Sequence, residues 1–249
     1  MRIAVLVAYD GTDFSGWQVQ PQKRTVQGVL EEGLFRALGK KITLTASGRT
    51  DAGVHAFGQV CHFDAETSVP ALKIADCVNP FLPTDVKILK SKQAPPLFDA
   101  NRTAKKKTYR YFLYLADRDH PLYERYAVRI RDNVDLARMR EAARWIEGEH
   151  DFKAFCASGS SVKTTVRTVY SCLVEREGNR LSFAVTGNGF LYNMVRTLVG
   201  ELLEIGRGRL TVDDLIRSLE TGDREGVGKT MPAKGLALES VEYESFRFE

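Results

Sequence analysis

The residues with the clearest capacity for chemistry are Ser47-Gly48-Arg49-Thr50-Asp51-Ala52-Gly53-Val54-His55-Ala56. One carboxylate, Asp51, stands between two glycines and two residues after an arginine. Gly48 and Gly53 permit a tight backbone path that a side chain would strain. A neighbouring guanidinium favours the ionised form of a carboxyl group. An ionised carboxylate on a tight loop can serve as a nucleophile or a general base. Aspartate and glycine also build plain turns, so spacing alone leaves both readings open.

Two further runs could work with such a carboxylate. In Lys105-Lys106-Lys107-Thr108-Tyr109-Arg110-Tyr111, cations alternate with aromatic rings. Cations suit phosphates and rings suit bases, as RNA contacts require. The same pattern also fits a solvated strand with charged edges. In Gly189-Phe190-Leu191-Tyr192-Asn193-Met194-Val195-Arg196, the arginine falls at the border of an apolar helical stripe formed by Leu191, Val195, Leu198 and Leu202. An arginine at such a border can simply extend its stem along the surface towards water.

Other combinations carry less. Gly228-Lys229-Thr230 has the ending of a phosphate-binding loop, but position 223 is Asp and no strand is expected before it. Cys61, Cys77, Cys156 and Cys172 form no Cys-x-x-Cys pair and, with four scattered histidines, read as reduced thiols rather than a zinc site. No metal or cofactor motif is expected.

The elements that must position these residues follow from the pattern. A chain of 249 residues with 43% hydrophobic and 27% charged residues suits one large domain or two halves. The net charge of +4 permits a nucleic-acid partner without demanding one. Ile3–Ala8 reads as a buried strand, and Thr25 caps a helix reaching Leu38 and Gly39. Ile42–Ala46 and Gln59–Phe63 read as strands on either side of the Asp51 loop, which gives it a rigid mount. A short helix over Pro70–Val78 and a strand over Val86–Leu89 complete an N-terminal half, residues 1–98, ending near Pro95-Pro96. Residues 99–249 then supply a long strand over Lys105–Leu115, a helix ending near Ile146, paired strands over Thr165–Glu175 and Leu181–Val185, and a helix over Phe190–Ile205. Thr211 and Asp214 form a capping box before a last helix, and Gly235–Tyr243 is a closing strand. Long strands and separated helices indicate the α+β class. No leader peptide or membrane-spanning run is expected.

The run from Gly48 to His55 resembles, without interruption, the catalytic loop of the tRNA pseudouridine synthase A (TruA) family. The basic run into Tyr109-Arg110-Tyr111 and the Phe190…Met194-Val195-Arg196 segment resemble that family's second and third motifs. The opening Tyr9-Asp10-Gly11-Thr12, Phe14 and Gly16-Trp17-Gln18, then Thr25-Val26-Gln27 and Asn79-Pro80-x-Leu82-Pro83, resemble it too, so the likeness covers most of the chain. The resemblance implies an isomerase converting uridine to pseudouridine at positions 38 to 40 of the tRNA anticodon stem-loop, without cofactor. It implies Asp51 as nucleophile, Arg196 as its ion-pair partner, Tyr109 packed on the uracil ring, and Arg49 entering the space vacated by the flipped base. Lys105, Lys106, Lys107 and Arg110 would hold RNA phosphates. The implied fold is two α/β halves sharing a continuous mixed, largely antiparallel sheet with a central cleft, in a cytoplasmic homodimer. Two alternatives are a catalytically inactive RNA-binding or RNA-chaperone protein and a small-molecule enzyme with an aspartyl nucleophile.

Overall fold

A computed structural model describes residues 1–157, 159 and 162–248. By contact, the chain falls into two compact units, Met1–Lys107 with Ala237–Glu249, and Thr108–Leu236. Its ten strands form a mixed, largely antiparallel sheet accompanied by five α-helices among the described residues.

The first unit opens with β1 (Arg2–Tyr9), whose apolar residues are buried along most of its length. Helix α1 (Val26–Leu38) follows. The Thr25 hydroxyl accepts from the Gly28 amide, and Gly39 ends the helix at φ 70°, a left-handed position suited to glycine. Next come β2 (Thr45–Ala46), β3 (His55–Asp64), α2 (Ile74–Val78) and β4 (Val86–Gln93). β1 runs antiparallel to both β3 and β4. Only two residues of the strand expected over Ile42–Ala46 pair with β3, because the Leu44 amide donates instead to the Glu31 carboxylate on α1.

Strand β5 (Ala104–Leu115) begins in the first unit and continues into the second. The second unit then holds β6 (Val128–Ile130), α3 (Leu136–Ile146), β7 (Gly148–Asp151), β8 (Val166–Glu177), β9 (Arg180–Gly187), α4 (Met194–Gly206) and α5 (Val212–Thr221). Its strand order is β5-β9-β8-β7, with β6 beside β5. The capping box of Thr211 and Asp214 is present. β6 and β7, three and four residues long, are too short to leave a periodic signal.

The last strand, β10 (Leu236–Tyr243), belongs from Ala237 onward to the first unit and runs parallel to β3. Tyr243 and Phe246 enclose Phe98 at ring separations of 4.9 and 4.6 Å, and the Tyr243 hydroxyl donates to the Ala100 carbonyl at 2.7 Å. Ala94, Phe98 and Ala100, on either side of the expected boundary, lie in the core of the first unit, while Pro95, Pro96 and Leu97 between them are exposed. No helix among the described residues is long and apolar enough to cross a membrane.

Candidate active site

Asp51 sits half-buried at the start of a tight turn in the first unit. The Val54 amide donates back to the Asp51 carbonyl at 3.1 Å. Gly53 has φ 77°, a conformation costly for any residue with a Cβ. The turn passes directly into β3 at His55.

The turn is braced along both arms. On the incoming arm, the Ser47 carbonyl accepts from Asn101 Nδ2 at 3.0 Å and from Lys107 Nζ at 2.5 Å. The Ser47 hydroxyl donates to Gln59 Oε1 at 2.6 Å, while Gln59 Nε2 donates to the Gly48 carbonyl at 2.9 Å. Thr50 is held by the Trp17 amide on its carbonyl at 3.0 Å and by the Tyr9 hydroxyl at its own hydroxyl at 2.7 Å. On the outgoing arm, the Gly11 amide donates to His55 Nδ1 at 3.0 Å, and Asp10 Oδ1 lies 3.2 Å from the same nitrogen.

Two glycines let the neighbouring backbone approach. A Cβ on Gly11 would stand 2.0 Å from the Val54 carbonyl oxygen, and one on Gly16 2.8 Å from that of Thr50. The sequence reading noted Tyr9, Gly11, Gly16 and Trp17 only as parts of an opening resemblance. It gave the side chains of Ser47, Gln59 and Asn101 no role in holding the loop. Their signal, a polar residue flanking a glycine-rich loop, is too common to single them out.

Lys107, expected among phosphate-binding residues, turns its ammonium to the Ser47 carbonyl, and burial pushes its pKa below the ordinary lysine value. Lys105 and Lys106 are exposed, and Lys105 pairs with Glu244 at 3.1 Å. Arg49 is exposed on the turn.

In the second unit, β5 presents Tyr109, whose ring meets Phe190 edge-on at 5.3 Å. Arg110 donates to Glu175 at 2.9 Å and to Ser182 at 3.3 Å, so its guanidinium is engaged across the sheet. Tyr111 is buried, and its hydroxyl donates to the Pro232 carbonyl at 2.7 Å.

Helix α4 starts at Met194, later than the expected Phe190. Asn193 takes a left-handed backbone, φ 61°, which breaks the helical path. Its side chain does not cap the helix and instead accepts from Arg196 Nη1 at 2.7 Å. Arg196 Nε donates to the Met231 carbonyl at 2.6 Å. The guanidinium is thus held on two sides rather than extended along the surface.

The Gly228-Lys229-Thr230 run, set aside as a nucleotide-binding motif, packs on α4. Cys61, Cys77, Cys156 and Cys172 are free thiols. Burial raises the thiol pKa of Cys61, and that of Cys172 to about 12, which keeps both protonated.

The model of a family described as tRNA pseudouridine synthase matches residues 5–101 and 142–244. A protein of Geobacillus sp. (strain WCH70) called tRNA pseudouridine synthase A is 44% identical over 245 residues, covering 98% of this chain and 99% of that protein. Its namesake in Oceanobacillus iheyensis is 44% identical over 246 residues, covering 98% and 97%. Among solved structures, a chain of the archaeal box H/ACA sRNP Nop10-Cbf5 complex aligns at TM-score 0.37 and 13% identity, covering 93% of this chain and 58% of that one, a likeness too distant to add to these matches.

Proposed function

Since this chain belongs to the tRNA pseudouridine synthase family and is an isomerase of uridine in tRNA, we propose that it acts at positions 38 to 40 of the anticodon stem-loop, with Asp51 as nucleophile. The reaction breaks the bond from ribose C1′ to uracil N1, turns the base, and joins C1′ to C5. The hydrogen leaving C5 is replaced in the product by one on the freed ring nitrogen, so no electrons are exchanged with a third party. A carboxylate meeting an electron-poor anomeric carbon is the situation that glycosidases also exploit.

The other roles follow. Arg196 pairs with Asp51, keeping it ionised and oriented. Tyr109 packs on the uracil ring. The target base must leave its stack at a cost of a few kcal/mol, and Arg49 offsets part of that cost by filling the space. Lys105 and Lys106 hold phosphates and read helix shape rather than sequence, which suits several neighbouring uridines. The enzyme works as a homodimer in the cytoplasm.

The observation that carries this reading is the Asp51 turn, where one carboxylate is mounted on a turn held by hydrogen bonds along both arms. The test is tritium release from an anticodon stem-loop tRNA carrying uridine tritiated at C5, with wild type and Asp51→Asn in parallel. Joining C1′ to C5 expels that label. Release by wild type alone, with both proteins binding tRNA, is the expected result. Release by Asp51→Asn near the wild-type rate overturns the nucleophile assignment, and binding without any release favours an RNA-binding protein.

A further inference from the structure

The second unit contains a buried acid that the chemistry above does not use. Glu201 on α4 is fully buried, and its Oε1 has no hydrogen-bond partner among the described residues. Its Oε2 accepts from the Gly228 amide at 2.5 Å. A buried carboxyl group with half its capacity unused is costly for stability alone. Its one bond holds a particular object, the segment from Gly228 to Pro232.

That segment is fixed to α4 and β5 at each step. A Cβ on Gly228 would stand 2.5 Å from the Glu201 nitrogen, and one on Gly200 2.0 Å from the Lys229 carbonyl oxygen. The Thr230 and Thr197 hydroxyls share a hydrogen bond at 2.9 Å, with Thr197 fully buried. The Met231 amide donates to the Arg196 carbonyl at 3.2 Å, and the Met231 carbonyl receives Arg196 Nε at 2.6 Å. Tyr111 then anchors Pro232. The backbone atom that fixes one side of the Arg196 guanidinium is therefore placed by the adjacent Thr197 and by Gly200 and Glu201, about one helical turn further on.

We propose that Gly228–Pro232 is a strap that sets the orientation of Arg196, and that Glu201, Gly200 and Thr197 are positioning residues for uridine isomerisation. The proposal rests on the role assigned to Arg196 above. A guanidinium is a planar fork, so its usefulness to a carboxylate depends on its angle as well as its charge. The strap supplies that angle from outside the helix, while Asn193 grips the opposite nitrogen.

The experiment compares kcat and KM for tRNA in wild type, Gly200→Ala and Thr230→Val, each alone and combined with Arg196→Lys, with thermal melts on every protein. Gly200→Ala pushes the strap off the helix, and Thr230→Val removes one bond at nearly constant shape. Both should lower kcat, Gly200→Ala by about 10²-fold, since small misplacements cost that much. KM should stay within roughly twofold, and Thr230→Ser should recover the rate. In the Arg196→Lys background, both changes should add less than about twofold, because coupled residues are non-additive. Full multiplication of the losses, or an unchanged kcat in Thr230→Val, overturns the strap. If Gly200→Ala does not fold, Thr230→Val and Thr230→Ser decide. A wild-type rate in Arg196→Lys alone instead overturns the role of Arg196, whatever the strap variants do.

Discussion

The Lys107 ammonium donates to the carbonyl oxygen of Ser47 at 2.5 Å, where the Asp51 turn leaves β2. A cation so committed has little to offer a phosphate. Lys107→Met is expected to leave the salt dependence of tRNA binding unchanged while lowering kcat about tenfold through a loosened turn. Replacing the exposed Lys105 and Lys106 together by alanine is expected to reduce the slope of log K against log salt by up to about 2. Filter binding across a range of salt concentrations checks both. A shallower slope in Lys107→Met returns that lysine to the phosphate set.

Two glycine substitutions separate general stability from the geometry of the turn. Gly39 ends α1 at φ 70° with nothing within 4 Å of a built Cβ. Gly39→Ala is expected to cost about 1 kcal/mol of stability, the strain of a left-handed alanine, with kcat preserved. In Gly11→Ala the new methyl meets the Val54 carbonyl oxygen at 2.0 Å, so the outgoing arm of the Asp51 turn must move. Loss of kcat well beyond the loss of folded fraction is expected there. Equal behaviour of the two variants would remove the case for Gly11 as a brace.

Tyr109 lies edge-on to Phe190, with a ring separation of 5.3 Å. If its ring is the platform for uracil, Tyr109→Phe keeps tRNA affinity and Tyr109→Ala loses about 1–3 kcal/mol of it. Equilibrium binding to an anticodon stem-loop measures both. The kcat of the phenylalanine variant then reports separately on the hydroxyl.

Glu201 gives a pH dependence with a definite sign. Burial, helped by the negative charges of Asp214 and Glu204, raises its carboxyl pKa above the ordinary 4.5. The native protein holds this proton more tightly than the unfolded chain. The stability due to this group is therefore full below the unfolded value and is lost as pH rises through the raised one. Glu201→Gln never ionises and keeps an oxygen for the Gly228 amide. Its melting temperature is expected to match wild type in acid, to exceed it increasingly as pH rises between the unfolded and the raised value, and to stay above it by a constant margin beyond. Parallel melting curves at all pH values would show that the Glu201 carboxyl has the same pKa in the folded and the unfolded chain.

The Asp51 turn was legible through the resemblance of its whole run, Gly48 to His55, since bracketing glycines alone fit a plain turn as well, and α1 because Thr25 and Gly39 punctuate its stripe. The start of α4 was not legible. Periodicity counts Leu191 into the helix, whereas a single left-handed Asn193 breaks the path, and no pattern of apolar residues signals that. Alternation places Lys107, Tyr109, Tyr111 and Leu113 on one face of β5, and Tyr111 and Leu113 are buried. It could not say that the lysine meets Ser47, sixty positions earlier in the chain. Nor could it tell that β10 lies beside β3, since a parallel partner leaves no local mark.

The return of β10 to the first unit has a consequence for synthesis. Residues 108–236 are contiguous and can fold as soon as they clear the ribosome. The unit that carries Asp51 must wait, because β3 lacks a neighbour and Phe98 lacks its ring partners until residues 237–246 have emerged. Vectorial translation thus delays the scaffold of the Asp51 turn to the last moments of the chain, so a truncated product ending before β10 carries the motif without a finished unit to mount it.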